Sequence, residues 1–315
     1  AIYRLYMSSD AVYDKHGEVF LLWACRETGV IEALLGGEKD VEGIVDETGI
    51  TSRAASTVLE ALADLGYATS TGKAYEATDR LRGFDPETPA LERGILPHRL
   101  DTFEEYMDLP EKMHGNYSTG FSEEEFRNYM GGMATVPESI VRSIVTAAEH
   151  VQPRPERVLN VGGGPGRFAA EFQRRGADVT LLDRDSTLNF LKDHHREQGL
   201  EVVEGDARES LPRGFDLVFS ARMTVSLSLE EIHEYFGNAF DALEPGGAFV
   251  GAEWVRGRSE VAERFGVHML AISDVGNTYT AEEYHTALEE NGFVDVEIRE
   301  VPDTRYQTIV GRVPA

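Results

Sequence analysis

Cysteine, lysine and long apolar runs are scarce in this sequence. Cys25 is the only cysteine, so an internal disulfide and paired-thiol redox chemistry are excluded and a cysteine-based zinc site is disfavoured. No apolar run approaches the roughly 20 residues that cross a bilayer, and the first residues lack the basic, apolar and small-residue order of a secretory signal. The expectation is a cytoplasmic protein. Positive charge is also scarce, with 30 basic against 56 acidic side chains and a net charge of −26 over 315 residues. The acidic excess is spread along the chain and repels phosphates and anionic lipid heads, so neither nucleic acid nor a membrane is expected as a partner. The lysines are Lys15, Lys39, Lys73, Lys112 and Lys192 alone. A lysine-poor acidic surface points to solubility in concentrated salt, where a screening length of about 3 Å at 1 M removes self-repulsion; an ordinary acidic bacterial enzyme is the alternative.

Apolar residues make up 41% of the chain, enough for one large core or two ordinary ones. The first 85 residues read as short helices followed by a hairpin. Val12, Val19, Leu22 and Trp23 recur at helical spacing, and Val41, Ile44 and Val45 mark a helix stopping at Gly49. Thr51 or Ser52 caps another, carried by Ala55, Val58, Leu59 and Leu62 and ended by Gly66. Strands at 67–70 and 74–77 flank a Thr71-Gly72-Lys73 turn. That order describes a winged helix. Its third helix offers Arg53 against Glu60 and Asp64, the wrong charge for DNA, which leaves a packing and dimerisation module. The apolar stretch 20–35 is more than so small a domain hides alone, so a homodimer is expected.

Residues 86–152 are helical but punctuated by Pro97, Pro110, Gly131-Gly132 and Pro137, and carry rings and methionines that suit either a core or an adaptable pocket wall. Beyond Pro153 strands and helices alternate, with strands at 157–161, 179–182, 200–203, 215–219 and 248–253 and helices at 167–175, 188–196 and 229–243. Such alternation requires parallel strands with crossover helices. After a helix at 281–290, strands at 293–299 and 306–312 form a terminal antiparallel hairpin.

The first of these strands runs into Gly162-Gly163-Gly164-Pro165-Gly166 and then a helix. Glycines there let a ligand lie against the backbone near a helix N-terminus. Gly164, Gly166 and Ala169 also satisfy G-x-G-x-x-A, so the loop alone admits a nicotinamide enzyme. Asp183 ends the second strand, where a carboxylate can accept both ribose hydroxyls, and Asp206-Ala207 after the third fits an adenine amino edge.

With Pro245-Gly246-Gly247 before the fifth strand and the terminal hairpin, this order resembles class I S-adenosylmethionine-dependent methyltransferases, and among them the small-molecule O-methyltransferases with an N-terminal winged-helix dimerisation domain. The resemblance covers nearly the whole chain. It implies an α/β fold, a Rossmann-like methyltransferase sheet with a terminal antiparallel hairpin, preceded by an α-rich winged-helix domain. It implies three parts: residues 1–95 for dimerisation, 96–152 as helical linker and pocket wall, and 153–315 for S-adenosylmethionine binding and catalysis. The donor-binding positions it carries over are Gly162, Gly164, Gly166, Asp183, Arg184, Asp206, Ala207 and Ser220. Phe126 and Met130 fall where the family sets an aromatic ring and a methionine beside donor and acceptor.

Two departures follow. Asn160 stands where the family has Asp, which keeps hydrogen bonding to the loop and loses a charge. The family's His-Asp-Trp-Ser run, whose histidine is the general base, is replaced by Val225-Ser226-Leu227, and a second family acid falls at about Thr278, while the acid ending the fifth strand is retained as Glu253. Methyl transfer from a sulfonium has an activated donor, so positioning alone supplies much of the acceleration. A missing base, worth roughly 10²–10⁴-fold, favours a thioether, thiolate, carboxylate, amine or acidic hydroxyl acceptor over a simple phenol. Glu253 is a polar helper, and His268 and His98 are candidates for a relocated base or a substrate contact. Arg222, Arg99 and Arg264 can clamp a substrate carboxylate or sit in surface ion pairs. His194-His195 reads as solvated surface. Glu231 with His233, and His268 with Asp274, lack a third ligand, so no metal is expected. The rival readings are a catalytically silent S-adenosylmethionine-binding protein that signals occupancy to a partner, and a nicotinamide oxidoreductase.

Overall fold

The computed structural model describes residues 10–117 and 120–315. The chain divides into two compact units, residues 1–104 with 121–135, and residues 105–120 with 136–315. Segments of the stretch 96–152 fall in both units.

In the first unit, helices α1 (Asp10–Glu27) and α2 (Val30–Leu35) precede strand β1 (Lys39–Asp40), helices α3 (Val41–Thr48) and α4 (Ser52–Asp64), and strands β2 (Ala68–Ser70) and β3 (Ala74–Ala77). Side-chain caps set both middle helices. Asp40 accepts from Gly43 N at the start of α3, and the Thr51 hydroxyl accepts from Ala54 N at the start of α4, satisfying amides that have no helical partner. β1 pairs antiparallel with β3, adding a third strand, in the order β1-β3-β2, to the expected hairpin. Leu22, Ile31, Leu34, Ile44, Leu59 and Tyr67 are buried in one cluster. Most of the 20–35 stretch is therefore consumed inside this unit, with Phe20 left exposed against Phe103; the side chain of Val12 lies outside the described residues. The chain leaves the unit within α5 (Leu96–Met107) and, after α6 (Leu109–Lys112), returns to it for α7 (Glu123–Ala134). The intervening 105–120 belongs to the second unit, where Lys112 Nζ and the Tyr117 hydroxyl donate to the carbonyls of Ala271 and Leu270.

After α8 (Glu138–Val151), the second unit continues with β4 (Arg157–Val161), α9 (Arg167–Arg174), β5 (Asp178–Asp183), α10 (Asp185–Phe190), α11 (Lys192–Glu197), β6 (Glu201–Glu204) and β7 (Phe215–Ala221). It ends with α12 (Leu229–Ala242), β8 (Leu243–Glu253), α13 (Ala262–Ile272), α14 (Ala281–Glu290), β9 (Val294–Glu300) and β10 (Gln307–Arg312). The seven strands run β6-β5-β4-β7-β8-β10-β9. Five are parallel, and β10 pairs antiparallel with both β8 and β9, as the alternation and terminal hairpin predict. Two boundaries differ from expectation. The helix read over 188–196 is two helices broken at Leu191, and β8 begins at Leu243, ahead of the Pro245-Gly246-Gly247 turn.

Strand residues alternate between two helical layers. Leu159, Val218 and Phe249 face Ile232, Phe236 and Tyr284 of α12 and α14. Val158, Leu217 and Val250 face Ile144 and Phe172 of α8 and α9. Because β4 has β5 on one side and β7 on the other, the strand order reverses there, and a crevice opens at the carboxyl ends of these strands, where such sheets bind ligands. Among the described residues no helix is long and apolar enough to cross a membrane. Phe236 has no exposed surface and packs on Phe249 at 5.0 Å. Phe236→Ala is expected to lower unfolding free energy by about 3–5 kcal/mol, read as a shift of the denaturant midpoint at unchanged slope.

Candidate functional site

At the crevice the chain turns sharply from β4 into α9. Gly162 N donates to Leu182 O at 2.8 Å, and a Cβ on Gly163 would stand 2.4 Å from Leu181 Cγ, so no side chain fits. Gly164 has φ 48° and open space where its Cβ would be. Gly166, φ 76°, begins α9 without a side-chain cap, leaving the first helical amides turned toward the crevice. Asp183 closes the loop from the neighbouring strand. Its Oδ2 accepts from Gly164 N and its Oδ1 from Arg184 N, both at 2.8 Å. Each carboxylate oxygen keeps acceptor capacity for a hydroxyl pair.

Two expectations about this loop are corrected. His195 is 2% exposed, and its Nε2 lies 2.8 Å from Gly164 O, while His194 Nε2 lies 3.1 Å from Pro165 O. The break at Leu191 turns α11 so that these histidines brace the loop rather than face solvent. Burial lowers the His195 pKa, which keeps the ring neutral as a single Nε2–H donor. Asn160, in turn, does not bond the loop: its Nδ2 donates to Phe219 O at 3.4 Å and its buried Oδ1 has no partner.

Beyond β6, Asp206 is gripped by Arg208. The Arg208 amide and Nε donate to Oδ1 at 2.9 Å and Nη2 to Oδ2 at 2.6 Å, and these bonds hold the carboxyl down at about 2. Arg208 Nη1 reaches Glu231 Oε1 at 2.6 Å, in the capping box of α12. Ala207 O accepts from Asn238 Nδ2. Arg184, Asp185, Gly205, Asp206, Leu211 and Pro212 line part of a cavity of about 600 Å³.

Past β7 and β8 the polar groups are sealed. Glu253 has no exposed surface; its Oε1 accepts from Thr224 N at 3.1 Å, its Oε2 has no partner, and burial raises its pKa to about 7. The Thr224 hydroxyl is 2.8 Å from the Tyr284 hydroxyl. Ser220 is fully buried beside Tyr235. The turn 224–226 that stands in the histidine's place is thus pinned from below by Glu253. Thr278 spends its hydroxyl on Ala262 O at 3.1 Å. Arg222 lies over Trp254 and Phe265, and His268 lies 5.0 Å from Phe265 and 6.0 Å from Tyr106. Arg264 and Arg99 are exposed, and Arg264 donates to Glu260 O. In the first unit, Met130 is buried on α7, and Tyr129 gathers His98 at 5.3 Å and Phe126 at 6.5 Å. Among the described residues no group of three His, Cys, Asp or Glu is placed to hold a metal ion.

A family model described as a methyltransferase domain matches residues 134–298, more than half of the chain. The chain belongs to the methyltransferase domain family. This family member is also similar, at 32% identity over 124 residues, to a malonyl-[acyl-carrier protein] O-methyltransferase of Methylococcus capsulatus, covering 36% of this chain and 42% of that protein. It is 26% identical over 145 residues to the 3-amino-4-hydroxybenzoate 4-O-methyltransferase of Streptomyces cremeus, covering 43% and 40%. Its matches thus span about two fifths of the length of these curated relatives. Among solved structures, human N-acetylserotonin methyltransferase in complex with S-adenosylmethionine aligns over 100% of this chain and 98% of its own, at 20% identity and TM-score 0.73. An O-methyltransferase family protein from Burkholderia thailandensis aligns over 100% and 98% at 19% identity and TM-score 0.75. Those likenesses establish the S-adenosylmethionine-dependent methyltransferase fold.

Two of the buried ionisable groups, Glu253 and His195, give opposite pH signatures for this family member. Glu253 titrates higher folded than unfolded, so wild type loses stability relative to Glu253→Gln as pH rises from about 4.5 to about 7. The difference levels off near about 3 kcal/mol above that, as pH-dependent chemical denaturation of both proteins will report. His195 titrates lower folded than unfolded, so its contribution is lost on acidification below about 6.5. His195→Leu, which leaves Gly164 O without its donor, is expected to cost about 1–3 kcal/mol at pH 8 and to flatten that acid limb in the same measurement.

Proposed function

We propose that the chain is an S-adenosylmethionine-dependent methyltransferase acting on a small-molecule metabolite. The observation that carries this reading is the Asp183 carboxylate bonded to Gly164 N across the β4–β5 crevice. The residues present fit an adenosyl group. Open space lies at Gly164, two carboxylates with lone pairs to spare follow β5 and β6, and uncapped amides begin α9. Gly162, Gly164 and Gly166 would hold the amino-acid end, Asp183 with Arg184 the ribose, and Asp206 with Ala207 the adenine edge, with Ser220 beneath. When bound, S-adenosylmethionine supplies a methyl group already activated on a sulfonium.

The work left to the chain is positioning. Arg222 is assigned to the acceptor. Glu253 acts through Thr224, fixing the 224–226 turn, and His268 is the candidate proton acceptor where the acceptor is a hydroxyl. Val225 in the histidine's place supports an acceptor that carries a lone pair without first losing a proton. The names of the curated relatives, O-methyltransferases both, support oxygen as one such atom. The same Val225 supports a second reading, a silent protein that binds the donor and signals through its N-terminal helices. A homodimer built on the first unit, a cytoplasmic setting and adaptation to high salt are the remaining parts of the proposal.

Calorimetric titration tests it. S-adenosylhomocysteine is expected to bind and NAD not to, and Asp183→Ala to weaken S-adenosylhomocysteine by about 10- to 100-fold, the range for losing charge-assisted bonds worth about 1.5–3 kcal/mol. Transfer of labelled methyl from S-adenosylmethionine into a metabolite extract, assayed in dilute and molar salt, separates enzyme from silent binder; turnover higher in molar salt supports the saline setting.

A further inference from the structure

Trp254 carries a polar group that the donor site leaves unused. Its Nε1–H is buried and donates to no acceptor. A buried indole N–H ordinarily finds one, and leaving it unpaired costs about 1–3 kcal/mol. Beside it stands Arg222, the residue that follows β7. Arg222 leaves β7 in the left-handed region, φ 53°, a conformation uncommon for a residue with a side chain and often found at functional sites. Its amide is fixed by Ala252 O at 2.9 Å. The guanidinium carbon lies 4.9 Å from the Trp254 ring centroid and 5.3 Å from that of Phe265. Trp254 in turn meets Phe265 edge-on at 4.7 Å and Tyr306 at 5.3 Å. The next residue, Met223, places Cγ 2.9 Å from where a Gly162 Cβ would be, so this box adjoins the glycine loop.

A planar cation among rings and a buried N–H donor beside it suit a planar anion that accepts from both, its own ring packing against the aromatic walls. We propose that Arg222 and Trp254 bind the carboxylate of a planar aromatic acid, which is the methyl acceptor's handle. The assignment rests on the methyltransferase reading. Arg222 fixes the acid as a two-pronged donor, Trp254 contributes the second donor, and Phe265 and Tyr306 set the requirement for a flat ring. A neutral amide of the same shape replaces an acceptor oxygen with an N–H₂ that faces donors, so it is rejected.

Trp23 and Trp254 are the only tryptophans, so Trp23→Phe leaves Trp254 as the sole indole reporter. That protein, saturated with S-adenosylhomocysteine, is titrated with the three hydroxybenzoate isomers and with their amides, following Trp254 emission, with calorimetry in parallel. At least one acid is expected to quench Trp254 and to bind about tenfold or more tightly than its amide. Arg222→Gln should erase that preference and Arg222→Lys, which keeps the charge without the planar fork, should retain only part of it. Melting curves confirm that each variant is folded. Equal affinity for acid and amide, a preference that survives in Arg222→Gln, or no binding of any acid while S-adenosylhomocysteine binds would each overturn the assignment. Failure of S-adenosylhomocysteine itself to bind would overturn the methyltransferase reading and this inference with it.

Discussion

One carboxylate ties the site together. Asp183 ends β5 and spends an oxygen each on the amides of Gly164 and Arg184, so a charge-assisted bond adds to the Gly162–Leu182 backbone bond and the close packing on Leu181 that hold the glycine loop to the neighbouring strand. Glycines that admit a ligand also remove the side chains that would stiffen the turn. The rigidity has to come from outside the loop. Asp183 supplies it from the front and His195, through Gly164 O, from behind. The result is a pre-shaped backbone surface that a nucleoside ligand need not order on arrival.

The same economy of positioning runs through the reacting end. Where the resembled enzymes place a histidine, this chain has Val225 in a short turn, and the nearest acid, Glu253, is shut beneath it with one oxygen on Thr224 N. Glu253 has no exposed surface, so it serves as a fixed support beneath the turn; burial that lifts its pKa to about 7 favours the neutral carboxyl, which still accepts the Thr224 amide bond. Rate enhancement by alignment needs such fixed supports, and an activated methyl donor makes alignment sufficient for acceptors that arrive with a free lone pair.

The sheet order, the glycine loop and Asp183 were legible in the sequence because they rest on local rules. Strand periodicity, a strand-to-helix glycine turn and a carboxylate one strand further on are all visible along the chain. What was hidden depends on packing. A single helix over 188–196 puts His195 outward, whereas the break at Leu191 turns it in. The sequence places Asn160 against the loop, but in the folded sheet its Nδ2 donates to Phe219 O on the adjacent strand. Arg208, two residues after Asp206, was within reach of a reading by spacing, since a side chain and its near neighbour's amide commonly bond one carboxylate. Trp254 Nε1 carried no signal at all, because burial without a partner is a property of the fold.

The central claim is that the backbone past β4, with the carboxylates after β5 and β6, is a cradle for an adenosyl group. A crystal structure grown with S-adenosylhomocysteine measures it most directly. The account predicts density along the glycine loop, with the ribose hydroxyls on Asp183 and the adenine amino edge at Asp206. Density lodged elsewhere, or a ribose that leaves Asp183 untouched, would contradict it.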